Sequence, residues 1–406
     1  MEKDAEVGGL AGSFRFGGTR VERFYHHWFV HDQEIFRLIE ELGAADQIAC
    51  RPTRTGLYYG GSIFRLSTPL DVLRFRPLGF CNRVRLGRLV LKARKVKDWR
   101  ALEGLTAEEW LLQLCGPEVY RVVWEPLLRG KFGEFASEVS AVWFWNKLKL
   151  RGGSRGKGGK EMLAYFHGGF SAIADRIVAA IESAGGQVLT NSPATALEVA
   201  GGRVTGVVTP GGRLEADAVI ATPALPIIAD LLAPHVPAES AAELRKIQYL
   251  ANVCVVLELD RSLSSTYWLN VNDTGFPFVG VIEHTNLEPP ETYGGKHIVY
   301  LSKYLPASAE LYRMGDEQVF RYCLPHLRRM FPEFSETWVL GHYVWRAPYS
   351  QPVVVRHYGE LVPPVRGPLA GLYIASMAQI YPEDRGVNYA IRDGRSAARL
   401  LAEQMR

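Results

Sequence analysis

Two stretches at opposite ends of this 406-residue chain carry residue types suited to holding a nucleotide. In Glu2-Lys3-Asp4-Ala5-Glu6-Val7-Gly8-Gly9-Leu10-Ala11 an acidic residue precedes a short polar turn and a glycine pair. A dinucleotide-binding fold ends its second strand in this way. The carboxylate accepts from ribose hydroxyls, and the glycines admit a bulky ligand where a Cβ would intrude. Near the other end, Gly386-Val387-Asn388 opens a helix that continues through Ala390, Ile391, Ala397 and Leu401. A helix that begins on glycine offers free backbone N–H groups and a partial positive charge, which stabilise negative charge without a charged side chain. Between the two lies Tyr25-His26-His27-Trp28-Phe29-Val30-His31-Asp32, with three of the ten histidines. His26 and His27 are candidates for contact with a substrate; the alternative is an aromatic strand whose histidines are satisfied core or surface groups. No metal is expected, because neighbours on a strand point to opposite faces and no helical His pair with a carboxylate accompanies them.

These groups need elements to position them. The spacing predicts a helix over 32–41, with Ile35, Leu38, Ile39 and Leu42 on one face and Gly43 as its stop. Residues 57–64 read as a hairpin turning on Gly60-Gly61. From 69 to 125 the pattern is helical, and Thr106 with Glu109 has capping-box spacing. Lys147 to Lys160 reads as an exposed Gly- and Lys-rich loop. Its Gly152-Gly153-Ser154-Arg155-Gly156 fits G-x-S-x-G by letter, but a nucleophile elbow needs a strand before it and a helix after. Gly168-Gly169 opens a helix carrying Phe170, Ile173, Ile177 and Ile181, and Gly185-Gly186 ends it. Strands are expected at 187–190, 196–199 and 203–209, with a buried parallel strand at 216–222. Further strands are expected at 253–259, 278–283, 297–304, 338–345 and 372–375, and helices at 223–250 and 316–330.

With 47% hydrophobic and 22% charged residues the composition is that of an ordinary globular protein. The net charge of +4 is too mild to argue for nucleic acid. Five cysteines, odd in number and without a CxxC, read as reduced thiols in a cytoplasmic protein. No run reaches the roughly 18 apolar residues of a spanning helix. Residues 74–97 hold nine Lys/Arg and no acid, interleaved with Leu86, Leu89, Val90 and Leu91. That pattern fits either peripheral contact with an anionic membrane surface or a solvated basic face.

Both ends, taken with Gly168-Gly169-Phe170, Ala216-Asp217-Ala218-Val219-Ile220-Ala221-Thr222 and Gly371-Leu372-Tyr373-Ile374-Ala375-Ser376-Met377, resemble the FAD-dependent amine oxidases. That superfamily includes protoporphyrinogen oxidase and the phytoene desaturases, and the resemblance runs over nearly the whole chain. It implies an α/β fold with α+β insertions. A Rossmann-like FAD-binding domain would span 1–50, 160–230 and 345–406, interleaved with a substrate domain of mixed sheet and helices over 51–159 and 231–344. It also implies FAD contacts at Glu2, Gly8, Gly9, Leu10, Ala11, Ala194, Thr222, Ser376, Met377, Gly386, Val387 and Asn388. Cavity contacts are implied at His26, His27, Tyr349 and Gln351. Two departures stand out. No G-x-G-x-x-G occurs, although the acid ordinarily follows that fingerprint by roughly 20 residues, so the chain is expected to begin inside its first βαβ unit. Ser376-Met377 stands where many relatives have Gly-Asp, so the ribityl contact of that Asp is expected either to be lost or to be supplied by Ser376, Gln379 or Asp384.

The resemblance implies hydride transfer from a small-molecule substrate, lipophilic or glycan-linked, to flavin. The run from Tyr25 to Asp32 also resembles the flavin-site segment of UDP-galactopyranose mutase. A flavin-dependent enzyme acting on a nucleotide sugar or glycan is therefore an alternative. A third reading is a chain without catalysis of its own, because it lacks the phosphate turn.

Overall fold

The computed structural model describes residues 1–66, 68–153 and 161–405. A seven-stranded sheet forms its frame, in the order Val339–Pro352, Tyr249–Leu259, His297–Leu305, Gly280–Glu283, Trp268–Val271, Thr55–Tyr59, Ser62–Arg65. Neighbours are antiparallel except Trp268–Val271 beside Thr55–Tyr59, which is parallel. The period-two alternation of side chains divides the sheet into two buried faces. Val253, Val255, Leu257, Val299 and Leu301 pack with Val319, Phe320, Cys323 and Leu327. Cys254, Val256, Ile298 and Tyr300 instead meet Phe14, Phe16, Trp28 and Phe170. Tyr304, on the same alternation as Tyr300, therefore belongs to this second face.

In chain order the helices include α1 (Gln33–Glu41), α2 (Pro69–Arg74), α3 (Phe80–Lys95), α4 (Ala107–Cys115), α5 (Glu125–Phe132) and α6 (Ala141–Gly153). They continue with α7 (Gly169–Ser183), α8 (Leu225–Leu232), α9 (Asp316–Met330) and α10 (Val387–Gln404). Local chemistry accounts for several of their boundaries. On α1, Ile35 and Ile39 are buried, and Gly43 stops the helix with φ +66°. The hairpin turns on Gly60 and Gly61, both left-handed, and the Asp273 carboxylate accepts from their N–H groups at 2.7 and 3.2 Å. Thr106 and Glu109 close the capping box at the start of α4, with bonds of 2.8 and 3.2 Å. Such a cap contributes about 1 kcal/mol.

The Gly168-Gly169-Phe170 opening of α7 has a specific cause. The buried Glu22 carboxylate accepts from Phe170 N–H at 2.8 Å and from the Tyr165 hydroxyl at 2.7 Å. Gly169 has φ +81°, and a Cβ there would lie 2.6 Å from Glu22 Oε1. A residue from a distant strand thus caps this helix, and only glycine leaves room for it.

Several expectations are corrected. Lys147 to Gly153 is not loop but the end of α6, because the apolar run Val142, Trp143, Phe144 and Trp145 is buried and Leu148 packs on the same core. The stretch 154–160, with most of the G-x-S-x-G match, lies outside the described residues. Residues 187–190 form no strand: Glu2 N–H bonds Leu189 O at 2.7 Å, Ser192 N–H bonds Glu2 O at 2.8 Å and Asn191 N–H bonds Asp4 O at 3.0 Å, so most of these bonds fall beyond 190 and no regular ladder forms along 187–190. The parallel strand is shorter than expected, Val219–Ala221, and Val219 and Ile220 are only half-buried because the pair has just two members. Finally, the strand expected at 338–345 runs on to Pro352 and so includes Tyr349 and Gln351.

Candidate functional site

Val219–Ala221 lies parallel to Leu372–Ile374, and Ala375 N–H bonds Ala221 O at 2.9 Å. Thr222 and Ser376 consequently leave the carboxyl ends of adjacent parallel strands, where open α/β sheets bind ligands. Thr222 is exposed and Ser376 is buried. Ser376 lies against the Tyr249 hydroxyl, which also accepts from Leu225 N–H at 3.3 Å. Met377 begins the one-turn helix that follows. Gln379 is occupied internally, accepting from Ser376 N–H at 2.8 Å and donating to Pro363 O at 3.0 Å.

The chain then delivers Asp384, Arg385 and Gly386 to the start of α10, where charge gathers. Buried Asp384 accepts from Trp143 Nε1 at 2.8 Å, pairs with Lys147, and lies 4.0 Å from Lys131. Burial opposes its charge, but Lys147, Lys131 and Arg385 outweigh burial and hold its carboxyl well below the usual range. Arg385 donates to Gln351 Oε1 at 3.1 Å and to the Tyr304 hydroxyl at 2.9 Å. Lys131 also lies 4.7 Å from the Trp143 ring centroid and 5.3 Å from that of Tyr304, within cation–π range. Three cations thus surround one ionised carboxylate. A second carboxylate, buried Asp32, accepts from Phe29 N–H at 2.9 Å; burial raises its pKa, and Phe29, His31 and Lys147 oppose that rise.

α10 itself starts without a side-chain cap on Gly386, and among the described residues nothing accepts from the Val387 or Asn388 N–H. Beside this open end stand His26, Tyr25 and Tyr304. The two tyrosine hydroxyls are 3.4 Å apart, and Tyr25 meets the Trp268 ring edge-on at 4.9 Å. His26 Nδ1 lies 2.6 Å from Phe24 O, which fixes the proton on Nδ1 and leaves Nε2 as an acceptor. Burial lowers its pKa to about 4, with Arg385 acting in the same direction, so His26 is neutral at neutral pH.

The other expected nucleotide contacts form a second group. Glu2 and the segment before Ala194 are joined by the backbone bonds to Leu189 and Ser192, and Glu2 Oε1 accepts from Asp4 N–H at 3.0 Å. Gly8 and Gly9 are left-handed, and Leu10 and Ala11 complete the single turn after them. Arg23 N–H bonds Gly12 O at 3.0 Å, tying this turn to the run that reaches Tyr25 and His26.

Not every expected residue joins these groups. Asn388 Oδ1 accepts from Glu34 N–H at 2.9 Å and Ile35 N–H at 3.1 Å, so its side chain caps α1. His27 bonds the Tyr267 hydroxyl at 3.0 Å, and Tyr349 packs edge-on against Tyr249 with ring centroids 5.5 Å apart. Gln351 does reach the site, through Arg385 and, at 3.5 Å, Asp384. Sequence reasoning missed Lys131, Lys147, Trp143, Tyr304 and Arg385. The one available signal was Asp384-Arg385 directly ahead of the glycine that starts a helix.

A family model described as flavin containing amine oxidoreductase matches residues 1–402. No curated protein matches the chain. Among solved structures, a provisionally named protoporphyrinogen oxidase from Exiguobacterium sp. 255-15 is similar, with a TM-score of 0.77 and 17% identity over 99% of this chain and 92% of that one. Cyclohexylamine oxidase from Brevibacterium oxydans IH-35A gives a TM-score of 0.69 and 17% identity, covering 100% of this chain and 93% of its own. Reduced UDP-galactopyranose mutase gives 0.66 and 13%, covering 89% of this chain and 80% of its own. Likeness at these identities speaks for the fold. Matched over almost its full length by the family model, the chain belongs to the flavin containing amine oxidoreductases and is an FAD-dependent oxidoreductase.

Proposed function

We propose that the protein oxidises a small organic substrate by loss of hydride from a carbon next to nitrogen or within a ring skeleton, at the open end of α10. The observation that carries this reading is the uncapped α10 N-terminus ringed by Lys131, Lys147 and Arg385. The residues present fit a flavin nucleotide. Ser376 is buried beside the Tyr249 hydroxyl and suits a ribityl hydroxyl; the Val387 and Asn388 N–H groups suit an electron-rich ring edge; Glu2 suits ribose hydroxyls. Flavin, when bound, accepts the hydride and passes the electrons on to oxygen or a quinone.

The protein's share is orientation and electrostatics. The helix end and the three cations hold negative charge in a site partly shielded from water, without reorganising as the charge develops. Tyr25, Tyr304 and Trp268 supply an aromatic wall against which a flat or aliphatic substrate is held. His26 contributes a neutral acceptor at Nε2. No proton is assigned to a base: His26 is depressed to about 4, Tyr25 is raised by burial, and Arg385 and Asp384 keep their charges. That set suits a step in which hydride leaves and no side chain must titrate near neutrality.

Anaerobic mixing of the oxidised protein with amines and with reduced cyclic compounds tests the reading. Loss of the visible flavin absorbance on adding substrate alone is the expected result. Turnover of a nucleotide sugar that begins only after prior chemical reduction would replace it with the sugar-modifying alternative, which the weaker likeness to UDP-galactopyranose mutase keeps in view.

A further inference from the structure

The basic segment that the site does not use has an unusual second face. α3 buries Leu86, Leu89 and Ala93 in the core. At 100° per residue these fall within about 60° of one another on the helical wheel. Phe80, Val84 and Leu91 fall within about 40° of one another on the opposite side, with Gly87 among them. They are exposed, Phe80 by 68% and Leu91 by 59%. Arg88, Lys92 and Lys95 flank this outer stripe on one side, Arg83 and Arg94 on the other. α2 packs against α3 and is fastened to it by Arg83, whose guanidinium donates to Leu73 O at 2.8 Å and Leu78 O at 2.7 Å. It adds exposed Leu70 and Leu73. Among the described residues, none of Arg74, Arg76, Arg85, Arg88, Lys92, Lys95 and Lys97 pairs with a carboxylate.

A helix packed on its own core needs one apolar stripe, and a solvated opposite face is normally polar. Here the outer stripe is apolar and bordered by cations on both sides, which matches the layering of a bilayer surface: hydrocarbon in the middle, anionic headgroups around it. We propose that α2 and α3 form a docking face that lies flat on an anionic lipid surface, with Phe80, Val84 and Leu91 seated in the interfacial layer. Unpaired charge selects this occupant over a second copy of the chain, whose identical face would bring seven unpaired cations against seven. At about 24 Å, α3 is long enough to lie in that layer, and among the described residues no helix is long and apolar enough to cross a membrane.

Vesicle co-sedimentation of the intact protein tests the proposal, with phosphatidylcholine alone and in equal parts with phosphatidylglycerol. The expected result is binding to the anionic vesicles only, weakened by salt. A Phe80→Ser/Leu91→Ser double variant should lower the partition constant at least about tenfold, and an Arg88→Glu/Lys95→Glu variant by a similar factor. Both pairs are exposed, so the melting temperature and flavin content should stay at wild-type values. The proposal is overturned if anionic vesicles fail to sediment the protein at low salt, or if binding is the same in the Ser variant. A dimer in solution that the Ser variant abolishes, without vesicle binding, would assign the face to a second copy instead.

Discussion

α7 and α10 both begin at a glycine, yet the fold leaves them in opposite chemical states. The first turn of α7 receives the Glu22 carboxylate, with Tyr165 as the other donor and, among the described residues, no cation paired to it; burial raises the pKa of Glu22. The first turn of α10 receives no acceptor, and Lys131, Lys147 and Arg385 lie around it. α1 repeats the α7 solution, with Asn388 reaching back to cap it. A glycine at a helix start does not by itself mark a ligand site. What decides is whether the rest of the chain sends that end an acceptor.

The sharpest break of the contrast is at the filled end. Gly169→Ala forces a side chain into a left-handed position and into contact with Glu22, and should destabilise the protein by about 3 kcal/mol or more, read as a lower midpoint in denaturant. Glu283 offers a second buried carboxylate, with no Lys or Arg paired to it among the described residues and His297 Nδ1 3.9 Å away, the pKa of that histidine lowered by burial. It accepts from Leu263 N–H at 3.1 Å, Ser264 N–H at 2.8 Å and two serine hydroxyls, yet burial still raises its pKa to about 7. Its native form therefore holds a proton that the unfolded chain releases. Its contribution is complete below the ordinary carboxylate pKa and is lost as pH rises through about 7. Stability should fall on the order of 2 kcal/mol across that window, and Glu283→Gln should flatten the slope in melts at stepped pH.

The open end can be closed deliberately. Gly386 has extended backbone, and a Cβ there meets only the Tyr389 ring at 3.8 Å, so Gly386→Asp should fold and cap α10. Its carboxylate occupies the N–H groups assigned to flavin, so FAD affinity should weaken about tenfold, or 1.4 kcal/mol, in an equilibrium titration. The smallest effect is expected at the neighbouring position. Asn388→Ala removes the cap of α1 and should cost about 1 kcal/mol of stability while leaving the visible spectrum unchanged, because that side chain serves α1.

What was legible in the sequence was local. The Thr106–Glu109 box, the Gly60-Gly61 hairpin and the ends of α1 and α9 follow from signals within a few residues. Most strands of the seven-stranded sheet are legible as short apolar runs, because its middle is buried on both faces; Trp268–Val271 is not. The family resemblance located the open end of α10, but not what surrounds it. Lys131 and Lys147 arrive from α5 and α6, and nothing in their neighbourhood distinguishes them from surface lysines. The role of Asn388 depends on backbone groups 354 and 353 residues away. The supposed loop at 147–153 shows the reverse error, in which glycine and lysine density concealed an apolar face continuous with Trp143 and Trp145.

The reduction potential of bound FAD tests the central claim most directly, measured anaerobically for the wild-type protein and Gly386→Asp at saturating FAD. If the uncapped helix end stabilises the electron-rich edge, the wild-type potential should lie above that of free FAD and the variant should fall well below the wild type. Equal potentials in the two proteins would contradict the account.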